Sequence, residues 1–438
     1  RKTTGGDLNR KCLNLHNGVN ITNEFLDAVK EDKEWRLIDP KSKEAIKNVS
    51  ARDLWWQLLH TRSETGEPYI VNIDNCNDAL PQQQKDLGLE VKQSNLCSEI
   101  TLPTNEERTA VCCLSSVNVE KFDDWSKDEQ FIEDLVTMLD NVLEQFIESA
   151  VDTAHYALGS YRANAERFKN YLKEDKNAYR KSAFSAYRER SIGLGAMGFH
   201  SYLQSKAVPF EGLRATSINH QVFKHIKEKA VDASKKLAND RGEAPDMVGS
   251  GLRNAHLLAV APNASSSIIC NGTSPSIEPS RANVYTHKTL SGSYKVQNKH
   301  LKNLLESKNK NTIEVWKDIA AHGGSVQHLN FLTDEEKEVF KTAPELNQIW
   351  IVEHAHQRQQ YICQSQSVNL FFIPPKATEP QETHDAFLQY INDVHWYGAK
   401  NLKSLYYLRS DAARATENVN IKIPRINLGE VECIACEG

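Results

Sequence analysis

Short apolar runs alternate with long segments of helical periodicity along nearly the whole chain, and this alternation restricts the possible folds most. Tyr69-Ile70-Val71-Asn72-Ile73-Asp74 and His256-Leu257-Leu258-Ala259-Val260-Ala261 have the length and composition of buried strands. Leu13–Asn20, Ile362–Phe372 and Ser404–Leu408 read as further strand-like pieces. Helices are expected from Thr22 to about Lys30, from Ser50 to about Thr61 and from Ser126 to about Leu158, the last with Phe131, Leu135, Leu139, Val142 and Phe146 on one face. Others are expected over Leu213–Asn239, Glu345–Gln360 and His384–Lys403. Helices regularly interposed between short strands predict an α/β protein with a largely parallel sheet.

With 438 residues the chain has room for two or three domains, or for one large α/β barrel. Its 39% hydrophobic and 25% charged residues are ordinary for a protein with a sizeable core. A net charge of −5 leaves no basic footprint for nucleic acid. No apolar run reaches the ~18 residues of a membrane span, and there is no signal peptide, so a cytoplasmic setting is expected. The nine cysteines are an odd number scattered through the chain, which argues for free thiols. A pair that does oxidise is then expected to be catalytic. The first residue is Arg1, so the chain is expected to be a fragment, a processed piece or one half of a split protein.

Several stretches carry chemistry. Asn95, Cys97 and Glu99 are spaced two apart, and in an extended segment they share one face. An amide, a thiol and a carboxyl group would then work side by side. The plainer alternative is an edge strand with one buried cysteine. Strand-like segments are expected around Asn95–Leu102 and Ala110–Val119. The second holds the vicinal Cys112 and Cys113, whose side chains would point to opposite faces of a strand. Gly193-Leu194-Gly195-Ala196-Met197-Gly198 matches a dinucleotide fingerprint by letter only. No strand is expected to end just before it, and the segment reads as a helix with small residues for close packing. Pro262-Asn263-Ala264-Ser265-Ser266-Ser267 follows a strand and opens a helix, which suits an anion as well as a plain serine-rich cap. Tyr406-Tyr407 follow a helix near the end. His354 and His356 lie two apart in a helix and cannot share a face, and no histidine pair reads as a metal site. From Asp411 the chain has no aromatic residue and little periodicity, so it is expected to be a mobile tail. The tail carries Cys433 and Cys436, which could also be half of a zinc site, although no second clustered pair completes one.

Taken together these motifs resemble the large (catalytic) subunit of class I ribonucleotide reductase, from about Gly5 to the C-terminus. The similarity is closest to the form of tailed phages and their enterobacterial hosts. The resemblance implies the C-terminal part of a ten-stranded α/β barrel, built from two five-stranded halves, with an inner loop carrying the radical cysteine. Residues 1–410 would form this part of the barrel domain and 411–438 a flexible tail. It implies that Cys97 bears a thiyl radical, that Glu99 takes the substrate's 3′-hydroxyl proton and that Asn95 holds its hydroxyls. Cys112 would be one of two cysteines that become a disulfide. Its partner in the family lies upstream of the loop, where this chain has only Cys12 and Cys76 in other contexts. Tyr406 and Tyr407 would relay the radical, and Pro262, Asn263, Ala264, Ser265 and Ser266 would hold the substrate phosphates. Cys433 and Cys436 would re-reduce the disulfide and be reduced by thioredoxin or glutaredoxin. The 26 residues from Tyr407 to Cys433 span at most roughly 85 Å extended, ample for that swing.

The resemblance also implies partners. These are a small radical-generating subunit with a diiron or related metal centre, an N-terminal half of the large subunit holding the ATP and dNTP effector sites, and a ribonucleoside diphosphate substrate. No cofactor, nucleic acid or membrane is expected on this chain. The setting would be the cytoplasm, the host's if the gene is a phage's. Two alternatives stand beside this reading: a radical enzyme of another class, and a non-catalytic remnant or scaffold of a split gene.

Overall fold

The computed structural model describes residues 15–149, 178–289 and 292–410. Cys12, the part of the expected Ser126–Leu158 helix beyond Ser149, and the tail with Cys433 and Cys436 lie outside the described residues.

Extended segments lie side by side in one continuous succession. Leu114–Asn118 pairs parallel with Gly193–Met197. Leu194 then bridges to Leu258, and Val260 to Gln366, both parallel. Leu370–Phe372, a few residues on, pairs parallel with Leu408–Ser410. Ser404–Leu405 reverses the sense by pairing antiparallel with Tyr69–Asn72, which lies parallel to Gly18–Ile21. One parallel set is thus joined antiparallel to part of another, as two barrel halves require. Parallel neighbours need long crossovers, and helices provide them. Leu213–Arg241 precedes the 257–260 segment, Gln348–Gln359 the 364–372 segment, and Gln381–Asn401 the 404–410 segment.

Local chemistry sets the helix ends. Thr22 and Ser50 accept from the N–H groups of Phe25 and Asp53, capping Asn23–Lys30 and Ala51–Thr65. The longest helix, Leu213–Arg241, stops at Gly242 and buries Ala215, Val222, Phe223, Ile226, Ala230 and Leu237 at helical spacing. Asn219 on that helix donates to the carbonyl of His354 and accepts from Arg358, fixing the two helices together.

Three local expectations are corrected. The Gly193–Met197 stretch is a strand and not a helix, and the helix begins only at Phe199. Its glycines serve the sheet: a Cβ on Gly195 would stand 2.5 Å from the carbonyl oxygen of Ala259 on the neighbouring segment. The second vicinal-cysteine strand starts at Leu114, leaving Cys112 and Cys113 in the irregular lead-in. The helix expected from Ser126 starts at Phe131, and its buried face is Ile132, Val136, Leu139, Leu143 and Ile147. Val142 remains 49% exposed. That helix is apolar on adjoining stripes, so periodicity alone placed the face about one residue off.

Asp140 lies on the same buried face and is fully enclosed. Arg190 donates to its carboxylate at 2.7 Å and Arg241 at 3.0 Å, with Arg253 3.5 Å away. Burial opposes its ionisation, but these guanidinium groups, Arg190 foremost, hold its pKa below the usual carboxylate range. Asp140→Asn is expected to destabilise the protein by about 3–5 kcal/mol, because Arg190 is left buried without full compensation. Chemical denaturation checks this.

Candidate active site

The Asn95–Ile100 stretch enters the space between the two strand sets as a tight loop, not as the expected strand. Asn95 N–H donates to the carbonyl of Ile100 at 3.3 Å, Ser98 N–H donates to the carbonyl of Asn95 at 3.1 Å, and Asn95 Oδ1 accepts from Ile100 N–H at 3.1 Å. Ser98 takes a left-handed conformation, φ 64°. Serines of neighbouring segments hold the loop in place of strand partners. Ser404 Oγ donates to the Ser98 carbonyl at 2.9 Å, Ser367 Oγ to the Cys97 carbonyl at 2.5 Å, and Ser365 N–H to the Glu99 carbonyl at 2.9 Å. Ile100 and Leu102 pack on Ala259 and seat the loop against the sheet.

Folding back still brings the three groups together, by a route other than strand alternation. The Asn95 amide hydrogen-bonds the Glu99 carboxyl group. Ser367 Oγ lies 3.4 Å from Glu99 Oε2. Burial raises the Glu99 pKa above the ordinary glutamate value, while its own N–H, Asn95 and Ser367 restrain the rise. A carboxylate so placed is a stronger base than one in water.

Cys97 is half-buried, and its thiol hydrogen-bonds the Tyr406 hydroxyl. Tyr406 is 7% exposed. Burial first, and the nearby Cys97 next, push its phenol far up, so it stays neutral. Cys112 opens to the same space. The surrounding chain, and then the charges of Glu99 and the neighbouring thiols Cys113 and Cys97, push its thiol up to about 12. Cys113 points the other way, buried, with its Sγ 3.6 Å from the carbonyl of Leu139. The two thiols point apart, although the strand whose alternation was expected to separate them begins only at Leu114.

The remaining described cysteines are engaged elsewhere or lie apart. Cys76 is buried against the carbonyl of Lys403. Cys363 Sγ accepts from the N–H groups of Leu257 and Leu258 at 3.0 and 3.2 Å. Burial opposes its thiolate, but Lys227, His256 and the Leu258 backbone pull its pKa well below the usual value, so it acts as a half-buried acceptor stitching two segments. Cys270 follows the Ala264–Ile269 helix. All are free thiols.

Tyr406 and Tyr407 pack with ring centroids 4.4 Å apart and their planes tilted by 53°, and a third ring, Tyr69, lies 4.8 Å from the first and 5.0 Å from the second. His16 Nδ1 stands 3.0 Å from the Tyr407 hydroxyl, 3.2 Å from that of Tyr69 and 2.8 Å from Glu67 Oε1. Gly66 makes this meeting possible. It ends the Ala51–Thr65 helix with φ 78°, accepts from Leu408 N–H at 3.1 Å, and a Cβ there would lie 2.9 Å from the Leu408 carbonyl oxygen. Tyr69, Glu67 and His16 were missed by sequence reasoning. The available signal was a glycine, an acid and an aromatic at a helix end, in Gly66-Glu67-Pro68-Tyr69.

The Pro262–Ser267 loop lies at the end of the 257–260 segment and opens a helix at Ala264, as expected. Asn263 is left-handed, φ 53°, and its Oδ1 accepts from Ser116 Oγ at 3.1 Å. Ser265 and Ser266 are exposed, whereas Ser267 is buried and caps back onto the carbonyl of Ala264. A cleft of 560 Å³ beside Glu67, lined by Asn17, Phe25, Trp35, Leu58 and others, is separate from this loop and from Cys97. Elsewhere Asp318 sits 3.2 Å from His322 Nδ1 and 3.1 Å from His328 Nε2. Hydrogen bonds to one shared carboxylate account for that cluster.

The family model for the barrel domain of ribonucleotide reductase matches residues 1–250 and 246–408. The "putative ribonucleoside-diphosphate reductase large subunit" of Frog virus 3 is 44% identical over 439 residues, covering 100% of this chain and 71% of that protein. The corresponding large subunit of Invertebrate iridescent virus 3 is 42% identical over 498 residues, covering 100% of this chain and 73% of that one. Among solved structures, the Actinobacillus ureae class Id ribonucleotide reductase alpha subunit superposes with a TM-score of 0.73 at 36% identity. That match covers 92% of this chain and 66% of the neighbour.

Proposed function

Because the chain belongs to the class I ribonucleotide reductase large-subunit family, we propose that it replaces the 2′-hydroxyl of a ribonucleoside diphosphate by hydrogen, starting from a thiyl radical on Cys97. The observation that carries this reading is the convergence of Asn95, Cys97, Glu99, Cys112 and Tyr406 on one space.

A metal-bearing small subunit supplies the one-electron oxidant. Tyr406 stays a neutral phenol, so it loses its electron and proton together. The hydrogen bond between its hydroxyl and the Cys97 thiol lets the Tyr406 oxyl radical take the thiol hydrogen, which leaves the radical on sulfur. Cys97 then removes the 3′-hydrogen of the substrate. Glu99 accepts the 3′-hydroxyl proton, and Asn95 orients that hydroxyl while steadying Glu99. The 2′-oxygen leaves as water. Two thiols supply the two electrons and two protons, closing to a disulfide: Cys112 and a second cysteine that the family places upstream of the loop. At the end Cys97 gives the hydrogen back to C3′, Glu99 returns the proton to the 3′-oxygen, and the regenerated thiyl radical retakes its hydrogen from Tyr406. Pro262, Asn263, Ala264, Ser265 and Ser266 hold the diphosphate, with the exposed hydroxyls of Ser265 and Ser266 and the helix start facing the anion.

Residues 1–410 form the catalytic barrel part in this account. The 411–438 segment acts as a tail whose Cys433 and Cys436 pass electrons from thioredoxin or glutaredoxin to the disulfide. Effector nucleotides bind polypeptide upstream of this part. The setting is the cytoplasm. Among the described residues no helix is long and apolar enough to cross a membrane.

Glu99 provides the test. As a base it acts only when ionised, and its pKa is raised. Turnover is therefore expected to fall with acid at a pH above the ordinary glutamate range. Glu99→Gln should lower kcat by roughly 10²–10⁴-fold and remove that acidic limb. Unchanged turnover and pH profile in Glu99→Gln would overturn the assignment.

A further inference from the structure

We propose that His16, beside Glu67, is the base that takes and returns the phenolic proton of Tyr407 as the radical passes. The inference rests on the relay reading of Tyr406 and Tyr407 above.

Tyr406 and Tyr407 meet different surroundings. Tyr406 faces the Cys97 thiol, so its proton and electron travel to and from one partner. Tyr407 is half-buried at the outer end of the pair, and the electron it yields leaves the chain altogether. A phenol that loses an electron becomes strongly acidic, so its proton needs a local acceptor. The Arg409 guanidinium lies 4.1 Å over the Tyr407 ring, and its positive charge further disfavours a cationic ring that keeps the proton.

Three side chains surround the Tyr407 hydroxyl. Tyr406 and Tyr69 are themselves phenols and poor proton acceptors. His16 Nδ1, at 3.0 Å, is a nitrogen base. The same nitrogen is 2.8 Å from Glu67 Oε1, and Glu67 Oε2 accepts from Asn17 N–H at 3.3 Å. Glu67 is 3% exposed, whereas the His16 side chain is 34% exposed. A firmly placed carboxylate thus stands ready to hold an imidazolium close to the surface.

The step balances. One electron leaves Tyr407 for the small subunit's oxidant, which is reduced by one electron. His16 starts as the neutral tautomer with its proton on Nε2, so Nδ1 accepts from the Tyr407 hydroxyl; the Tyr407 O–H bond breaks, its proton forms an N–H bond at Nδ1, and only then does Nδ1 donate to Glu67. Tyr407 is left as a neutral oxyl radical, ready to take hydrogen from Tyr406. On the return passage each transfer reverses.

The test uses the chain with the small subunit and upstream polypeptide that the proposed function requires. His16→Ala is expected to lower kcat roughly 10²-fold with KM for the substrate unchanged, since His16 meets Tyr407, Tyr69 and Glu67 and none of the proposed substrate-holding groups. Added imidazole should restore a substantial part of the rate. His16→Gln, which keeps a hydrogen-bonding side chain but takes no proton, should be equally slow without rescue. Wild-type turnover in both variants beside a silent Tyr407→Phe would overturn the role of His16 and leave the relay standing. A slow His16→Ala that imidazole does not rescue, or a normal His16→Gln, would mark His16 as structural only. An active Tyr407→Phe would overturn the relay reading itself.

Discussion

Cys97→Ser is expected to abolish deoxynucleotide formation, a loss of at least roughly a thousandfold or about 4 kcal/mol of barrier, with substrate affinity within about twofold of the unaltered chain. Serine fits the loop, because the contacts fixing residue 97 are made by its backbone, chiefly Ser367 Oγ donating to the carbonyl at 2.5 Å. The change therefore acts on chemistry. An O–H bond is much stronger than an S–H bond, and a tyrosine oxyl radical does not take hydrogen from an alcohol. Measured binding of the diphosphate together with turnover separates this from misfolding. Normal turnover would end the thiyl account.

Tyr406→Phe is expected to be as severe. It removes the hydroxyl that meets the Cys97 thiol, while the ring retains its tilted contacts with Tyr69 at 4.8 Å and with Tyr407 at 4.4 Å. Stability should fall by only about 1 kcal/mol, the usual worth of one hydrogen bond. A large loss of turnover beside a nearly unchanged unfolding midpoint distinguishes a relay residue from aromatic packing. A variant with near-normal turnover would reduce Tyr406 to packing.

Both expectations begin from motifs that are legible in the sequence, but the geometry that joins them is not. The order of helices and strands follows from period and capping residues, and Thr22, Ser50 and Gly242 mark ends where the structure has them. Asn95, Cys97 and Glu99 can be picked out by spacing, yet the reason given by spacing is wrong. The segment is a loop turned by Ser98 and pinned by Ser365, Ser367 and Ser404, residues about 270 to 306 positions later in the chain. No local pattern carries such long-range bonds. The Gly193–Met197 strand failed for a related reason. Small residues reduce strand propensity, and only the close approach of Ala259 explains why they are needed. The tyrosine cluster shows the same limit: His16, Glu67, Tyr69 and Tyr407 come from three distant stretches.

The central claim is that this chain carries the chemistry of ribonucleotide reduction. The most direct measurement is conversion of CDP to dCDP by the chain with a radical-generating small subunit and a dithiol reductant, with and without an upstream reductase polypeptide. The account predicts dCDP formation in the completed assembly, one disulfide per product when the external reductant is withheld, and none of either with Cys97→Ser. A completed assembly that binds its parts and CDP yet forms no dCDP would contradict it and favour a non-catalytic scaffold.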